Sequence, residues 1–247
     1  MSMAHHCKYY VCRAQNAADL TAAQHLRAEA FRPGGPDRLD RDAFDEICVH
    51  FLVRDARTDE IVCCFRILPL CDGSEISRSY SAQFYELKAL EAFPGKMVEI
   101  GRFCVRPGCS DPDVLRLAWG ALTSYVDDND IELLFGCSSF AGIEAGDYLD
   151  AFAILRDRHL APSRWLPRIK APDVFRFAAG LRRRPDARKA MSIMPPLLRT
   201  YLLMGGWVSD HAVVDHEMNT LHVFTGLEIG AIPPARKKWL RAVAASA

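Results

Sequence analysis

Several charged residues stand where apolar segments would not by themselves ask for them. Arg27 opens an Arg-x-x-x-Phe pattern that ends at Phe31. Asp42 and Asp45 bracket Ala43-Phe44, and Arg66 lies inside Cys64-Phe65-Arg66-Ile67-Leu68-Pro69. Glu99 and Arg102 flank Ile100-Gly101, directly ahead of Phe103. A charge in such a segment must be paired, solvated or used. An Arg fork grips a carboxylate in bidentate fashion. An aspartate meets an ammonium, and a glutamate can take a proton from an amine, directly or through a water. Each residue also has a structural alternative. Glu99 can bridge to Arg102, and Asp42 and Asp45 can be tied to Arg27, Arg66 and Arg102.

In order and spacing these segments resemble the acyl-homoserine lactone synthases and their relatives, the acyl carrier protein-dependent branch of the GNAT N-acyltransferase fold. Within that branch the resemblance extends to the L-ornithine N-alpha-acyltransferases of bacterial ornithine lipid synthesis, from about residue 8 to about residue 228. It implies one α/β, GNAT-like domain over residues 1–247, with a mixed central sheet splayed at a β-bulge and flanked by helices. A basic, elaborated segment would cover about 156–200.

The activity implied is transfer of a 3-hydroxy fatty acyl group from acyl carrier protein to the α-amine of L-ornithine, giving lyso-ornithine lipid. Glu99 and Arg102 would be catalytic. Arg27, Phe31, Asp42, Asp45, Arg66, Phe103, Cys104 and Val105 would surround the substrate. Gly101 permits a bulge within 101–104, and backbone N–H groups of Phe103, Cys104 and Val105 would then face the oxyanion. The resemblance implies no cofactor beyond the carrier protein's phosphopantetheine. Two alternatives remain: a lactone synthase using S-adenosylmethionine, and a non-catalytic acyl-carrier or lipid-binding module.

Two departures favour the ornithine reading. GNAT acetyltransferases cradle the coenzyme A pyrophosphate in a glycine-rich loop at a helix N-terminus. Here that loop reads Arg106-Pro107-Gly108-Cys109-Ser110-Asp111-Pro112-Asp113, with few glycines and two acids, which suits a carrier-protein donor. The lactone synthases place a Trp after the Arg-x-x-x-Phe helix, whereas this chain has Pro33-Gly34-Gly35-Pro36. The stretch from Tyr201 to Phe224 also looks like the ornithine lipid enzymes.

Composition narrows the classes. Net charge is zero, so nothing points to nucleic acid. No apolar run is long enough for a membrane span and the N-terminus has no signal-peptide core, which gives a cytoplasmic expectation. Nine cysteines are scattered with no CxxC pair; most lie in apolar strand-like runs and read as structural thiols. The histidines show no paired ligand spacing, so no metal is expected.

The neutral total hides a polarity. Seven acids and no Lys or Arg lie between Asp127 and Asp150; twelve Lys and Arg against three acids lie between Arg156 and Arg199. The densest part carries Arg182, Arg183, Arg184, Arg188 and Lys189. It is a solvated face, a dock for acidic acyl carrier protein, or a peripheral contact with the anionic inner membrane.

The elements that must position these residues follow from periodicity and caps. Lys8–Arg13 reads as a strand, and a helix opened by Asn16 or Asp19 runs to Phe31. Val49–Arg54 and Ile61–Leu68 form a hairpin, and Met97–Arg106 is a further strand. Asp111-Pro112 starts a helix to about Asp127, followed by a strand at Ile131–Ser138. Helices are expected over 144–158 and 195–204, and strands over Val208–Val214 and Leu221–Thr225.

Overall fold

Two helix starts show how local chemistry sets the frame. The Asn16 side chain accepts from Asp19 N–H at 2.9 Å, and Asp111 accepts from Asp113 N–H at 3.1 Å ahead of Pro112. Each satisfies a donor that the first helical turn leaves without an intrahelical partner.

The structure is a computed structural model that describes residues 7–32 and 39–245. In chain order the elements are β1 (Tyr9–Arg13), α1 (Ala17–Phe31), β2 (Val49–Asp55), β3 (Ile61–Leu70), β4 (Tyr85–Glu86), β5 (Lys96–Val105), α2 (Pro112–Asp128) and β6 (Ile131–Ala141). There follow α3 (Leu149–Arg158), β7 (Arg168–Ile169), β8 (Val174–Phe175), α4 (Phe177–Gly180), α5 (Ala187–Ile193) and α6 (Pro196–Leu203). The last are β9 (Trp207–Val208), β10 (Ala212–Asp215), β11 (Thr220–Glu228) and α7 (Pro234–Ala245). The loop Pro33-Gly34-Gly35-Pro36 lies outside the described residues. Among those residues no helix is long and apolar enough to cross a membrane.

The chain divides into two compact units, and β5 passes from one to the other after Glu99. The first unit takes the chain up to Leu68, Ile100–Asp130 and the segment from Pro234. Its strands run β1-β2-β3 and then the second half of β5; β1–β2 and β2–β3 are antiparallel. Ala23 and Leu26 of α1 pack on Leu52, Ile61, Cys64 and Cys104. Phe51 stacks on Phe65, and Phe65 on Phe103, with ring centroids 4.9 and 5.3 Å apart.

The second unit takes Pro69–Glu99 and Ile131–Pro233. The first half of β5 runs parallel to β6 as far as the Glu99–Phe135 pair. Along its other edge β6 pairs antiparallel with β11, from Ala141–Thr220 to Leu133–Glu228. β10 and β8 follow, and β9 adds to β11. One antiparallel face of β11 and α3, α4 and α6 enclose Phe140, Phe152, Phe177, Leu198 and Val208.

Two expectations change in detail. The tail strand over 208–214 is interrupted after Val208. There the Ser209 hydroxyl donates to His211 C=O at 2.7 Å and accepts from Phe224 N–H at 3.1 Å, so a side chain replaces backbone in the ladder. In β5 the extended backbone breaks inside the window expected for a bulge, but at Arg102, with φ 51°, and not at the glycine. Left-handed backbone costs a non-glycine residue roughly 1–2 kcal/mol. Arg102 is held there by ion pairs of 3.0 Å to Asp40 and 3.1 Å to Asp42.

His222 on β11 is buried against Phe84 and Tyr85. Burial lowers its pKa from 6.5 to about 4. Between those values the unfolded chain holds a proton that the folded chain does not, so stability falls as pH drops through this window. Chemical denaturation across pH 7 to 4 should therefore show a loss reaching about 3 kcal/mol at most from this group. His222→Gln should flatten the decline; an equally steep decline in the variant would assign it to other groups.

Candidate active site

In the first unit, three cations and three anions form one cluster. Arg27, from α1, is 1% exposed. Its Nε donates to Asp40 at 3.0 Å, and its Nη1 and Nη2 donate to the two Asp45 oxygens at 2.8 and 3.0 Å. Nη2 also donates to the Asp40 carbonyl. Arg66, from β3, places Nη1 at 2.5 Å from both Asp42 and Asp45 and Nη2 at 2.8 Å from Asp42. Arg102 completes the set through Asp40 and Asp42. Gln24 Nε2 donates to Asp45 at 2.9 Å, and a His50 ring nitrogen lies 3.0 Å from the Asp45 carbonyl.

The cluster is neutral by count, which is what burial at these positions requires. Burial alone would raise the Asp45 pKa; the Arg27 hydrogen bond and charge overcome this and hold it well below the usual carboxylate range. Asp42 is lowered for the same reason, with Arg66 opposing burial. The partners in turn push Arg66 upward against its own burial. Side-chain exposure grades the members: 1% for Arg27, 3% for Asp45, 12% for Arg102 and 23% for Asp42. Asp42 and Arg102 therefore form its accessible edge. Arg27 takes the ordering role left open by the sequence, with its donors directed at Asp40 and Asp45.

In the second unit, Glu99 is 5% exposed. Its carboxylate accepts from Tyr80 N–H at 2.7 Å, Ser81 N–H at 2.7 Å and the Ser81 hydroxyl at 2.6 Å. The donors belong to the short helical turn at Ser81–Gln83, where a carboxylate meets backbone N–H groups. Ser81 Oγ also lies 3.4 Å from Cys137 Sγ on β6.

The remaining expected residues are placed as follows. Phe31 is half-buried against the α1 core, and Phe103 is half-buried on Phe65. Cys104 is buried with Sγ 3.6 Å from Cys64 Sγ; that contact and burial push its thiol well up. Its side chain thus belongs to the core, while Val105 is half-buried. In the basic segment, Arg183 is a structural residue: its Nε and Nη2 grip the buried Asp150 at 2.8 and 2.9 Å. Lys189 Nζ lies 3.7 Å from the same carboxylate; Arg182, Arg184 and Arg188 are exposed, as are the outer parts of Arg183 and Lys189.

Sequence reasoning did not find Asp40, Tyr80 or Ser81. Asp40 sits in the polar run Asp37-Arg38-Leu39-Asp40-Arg41, and Ser81 in Ser77-Arg78-Ser79-Tyr80-Ser81, so neither contrasts with its neighbours.

Residues 25–120 match the family model of an acetyltransferase (GNAT) domain. The chain is 31% identical over 245 residues to the L-ornithine N(alpha)-acyltransferase of Rhodobacter capsulatus, covering 94% of each chain. It is 30% identical over 236 residues to the protein of that name from Agrobacterium fabrum, covering 89% of this chain and 80% of that one.

The chain belongs to the L-ornithine N-alpha-acyltransferase family. It is accordingly an acyl-transferring enzyme with the GNAT fold. The fold is shared with the coenzyme A-dependent acyl-homoserine lactone synthase BjaI with MTA, at a TM-score of 0.52 and 14% identity, over 96% of this chain and 90% of that one.

The buried, fully paired Arg27 is expected to matter for folding. Removing one partner of a buried ion pair leaves the other charge uncompensated and costs about 3–5 kcal/mol. Arg27→Ala should lose that much stability in urea unfolding, and Arg27→Lys should recover only part of it, because an ammonium cannot reproduce the fork. A loss below about 1 kcal/mol would show that water replaces the guanidinium without penalty.

Proposed function

We propose that this protein transfers a 3-hydroxy fatty acyl group from acyl carrier protein to the α-amine of L-ornithine, giving lyso-ornithine lipid. The observation that carries the reading is similarity along nearly the whole chain to proteins named L-ornithine N(alpha)-acyltransferase. Glu99 takes the proton that the amine must lose. Arg66 and Arg102 supply guanidinium groups for the amino acid carboxylate, and Asp42 meets the side-chain ammonium of ornithine. Backbone N–H groups from Phe103 to Val105 stabilise the oxyanion, with Phe31 beside the substrate. The thioester arrives on phosphopantetheine and no other cofactor takes part. The reaction takes place in the cytoplasm, at the periphery of the inner membrane where the lipid product partitions.

The acceptor is tested by competition. With one acyl carrier protein donor and equal concentrations of ornithine and S-adenosylmethionine, acylated ornithine should predominate by at least about ten-fold. A sulfonium offers Asp42 no hydrogen bond, whereas the side-chain ammonium of ornithine adds a charge-assisted one, and a site built to hydrogen-bond a substrate group discriminates against an analogue lacking it. Predominant acyl-homoserine lactone would replace this reading with that of a lactone synthase.

The carrier protein dock is assigned to Arg182, Arg184, Arg188 and Lys189. Arg183 and Lys189 stay intact in the test because both sit at Asp150. Replacing Arg182, Arg184 and Arg188 with Ser should raise KM for the carrier protein substrate several-fold, more at low salt than at high salt, since exposed charge attraction is screened. An unchanged KM at low salt would remove the dock from this segment.

A further inference from the structure

Glu99 is poorly placed to meet an amine itself. It is 5% exposed, and three donors already converge on its carboxylate. Ser81, which supplies two of them, is 0% exposed. Ser81 Oγ in turn lies 3.4 Å from Cys137 Sγ, on a side chain that is half-buried. Ser81 spends its hydroxyl hydrogen on Glu99, so at this contact the thiol is the donor and Ser81 Oγ the acceptor. The hydrogens of Cys137 and Ser81 therefore point the same way, inward to Glu99.

The local fold explains why the outer end is a reachable one. Cys137 lies two residues beyond Phe135, the last β6 residue paired with β5. It stands on the same face as Phe135, since alternate residues of a strand share a face. β11 continues beside it, pairing Phe224 with Cys137, but among the described residues no pairing with β5 continues there. Cys137 is half-buried, whereas Phe135 and Ser138 beside it are buried.

We infer that Cys137 is a catalytic residue of the acyl transfer, and that Ser81 is a positioning residue which relays its proton to Glu99. This rests on the reading of the protein as an N-acyltransferase. The free amine nitrogen bonds to the thioester carbonyl carbon and acquires a positive charge. Its proton passes to the Cys137 sulfur as the Cys137 hydrogen passes to Ser81 Oγ and the Ser81 hydrogen to Glu99 Oε1. The carbon–sulfur bond of the donor then breaks, and the leaving sulfur takes the electron pair. The same hops in reverse return one proton from Glu99 to that sulfur, so the three groups end as they began. Delivery through Ser81 Oγ also leaves both N–H contacts to Glu99 in place, which a proton arriving from another direction would have to disturb.

The wire has a signature that needs no substrate. A carboxylate at its inner end disfavours the Cys137 thiolate, so Glu99→Gln should free it. Iodoacetamide labelling at pH 7.5, with the site read by mass spectrometry, should be at least about three-fold faster at Cys137 in folded Glu99→Gln than in the parent protein. An unchanged rate would overturn the coupling, whether or not ornithine proves to be the acceptor. The kinetic arm uses ornithine and an acyl carrier protein thioester. Cys137→Ala and Ser81→Ala should each lower kcat by roughly 10²-fold or more, with KM for ornithine within about two-fold. Cys137→Ser, which keeps a relay hydrogen, should restore most of the rate with a shifted pH profile. Wild-type kcat in folded Cys137→Ala would overturn the assignment. If the parent protein does not acylate ornithine, the proposed function falls while the labelling arm still decides the wire.

Discussion

Buried charge must be compensated where it sits, and that constraint decides how three parts of this chain are arranged. Arg27, Arg66 and Arg102 are matched by Asp40, Asp42 and Asp45 within one unit. Glu99 has backbone N–H groups and a hydroxyl in the other. Asp150 is answered by Arg183 and by Asp186 N–H. In each case segments far apart in sequence are drawn together by a group that cannot be left in apolar surroundings. The arginine cluster thus fixes the end of α1, the turn at Ala43–Glu46 and the centres of two strands at once.

Exposure rises across the arginine cluster from its inner to its outer members. Its inner members, Arg27 and Asp45, are closed off and mutually satisfied. Its outer members, Asp42 and Arg102, stay partly open, and Arg102 holds an unfavourable backbone conformation to do so. Strain of this kind persists only where surrounding interactions over-determine it, which is characteristic of sites that bind or react. Charges paired in advance are held in place, so a charged ligand that met them would require little reorganisation.

The sequence was most legible where one residue type stood against a uniform background. Arg27, Arg66 and Glu99 were visible as charges in apolar runs, and Asn16 and Asp111 as caps at the edge of helical periodicity. Legibility failed where the partner sat in a polar stretch or acted through its backbone. Asp40 lies among other charges, and the Tyr80–Ser81 turn offers Glu99 two N–H groups that every residue carries. Arg183 shows the opposite failure. In a basic run it is indistinguishable from Arg182 and Arg184, yet it alone grips Asp150 with two nitrogens. The break in the tail strand at Ser209 was hidden because one hydroxyl replaced a ladder bond without changing the apolar pattern.

The central claim is that the charges around the substrate present the α-amine, and not the side-chain amine, to the acyl donor. Incubation of the purified protein with ornithine labelled with 15N at the δ position and a 3-hydroxyacyl carrier protein, followed by tandem mass spectrometry, locates the new amide directly. The account predicts an acyl group on the unlabelled α nitrogen. Acyl transfer to the labelled nitrogen, or to another amino acid in preference to ornithine, would contradict it.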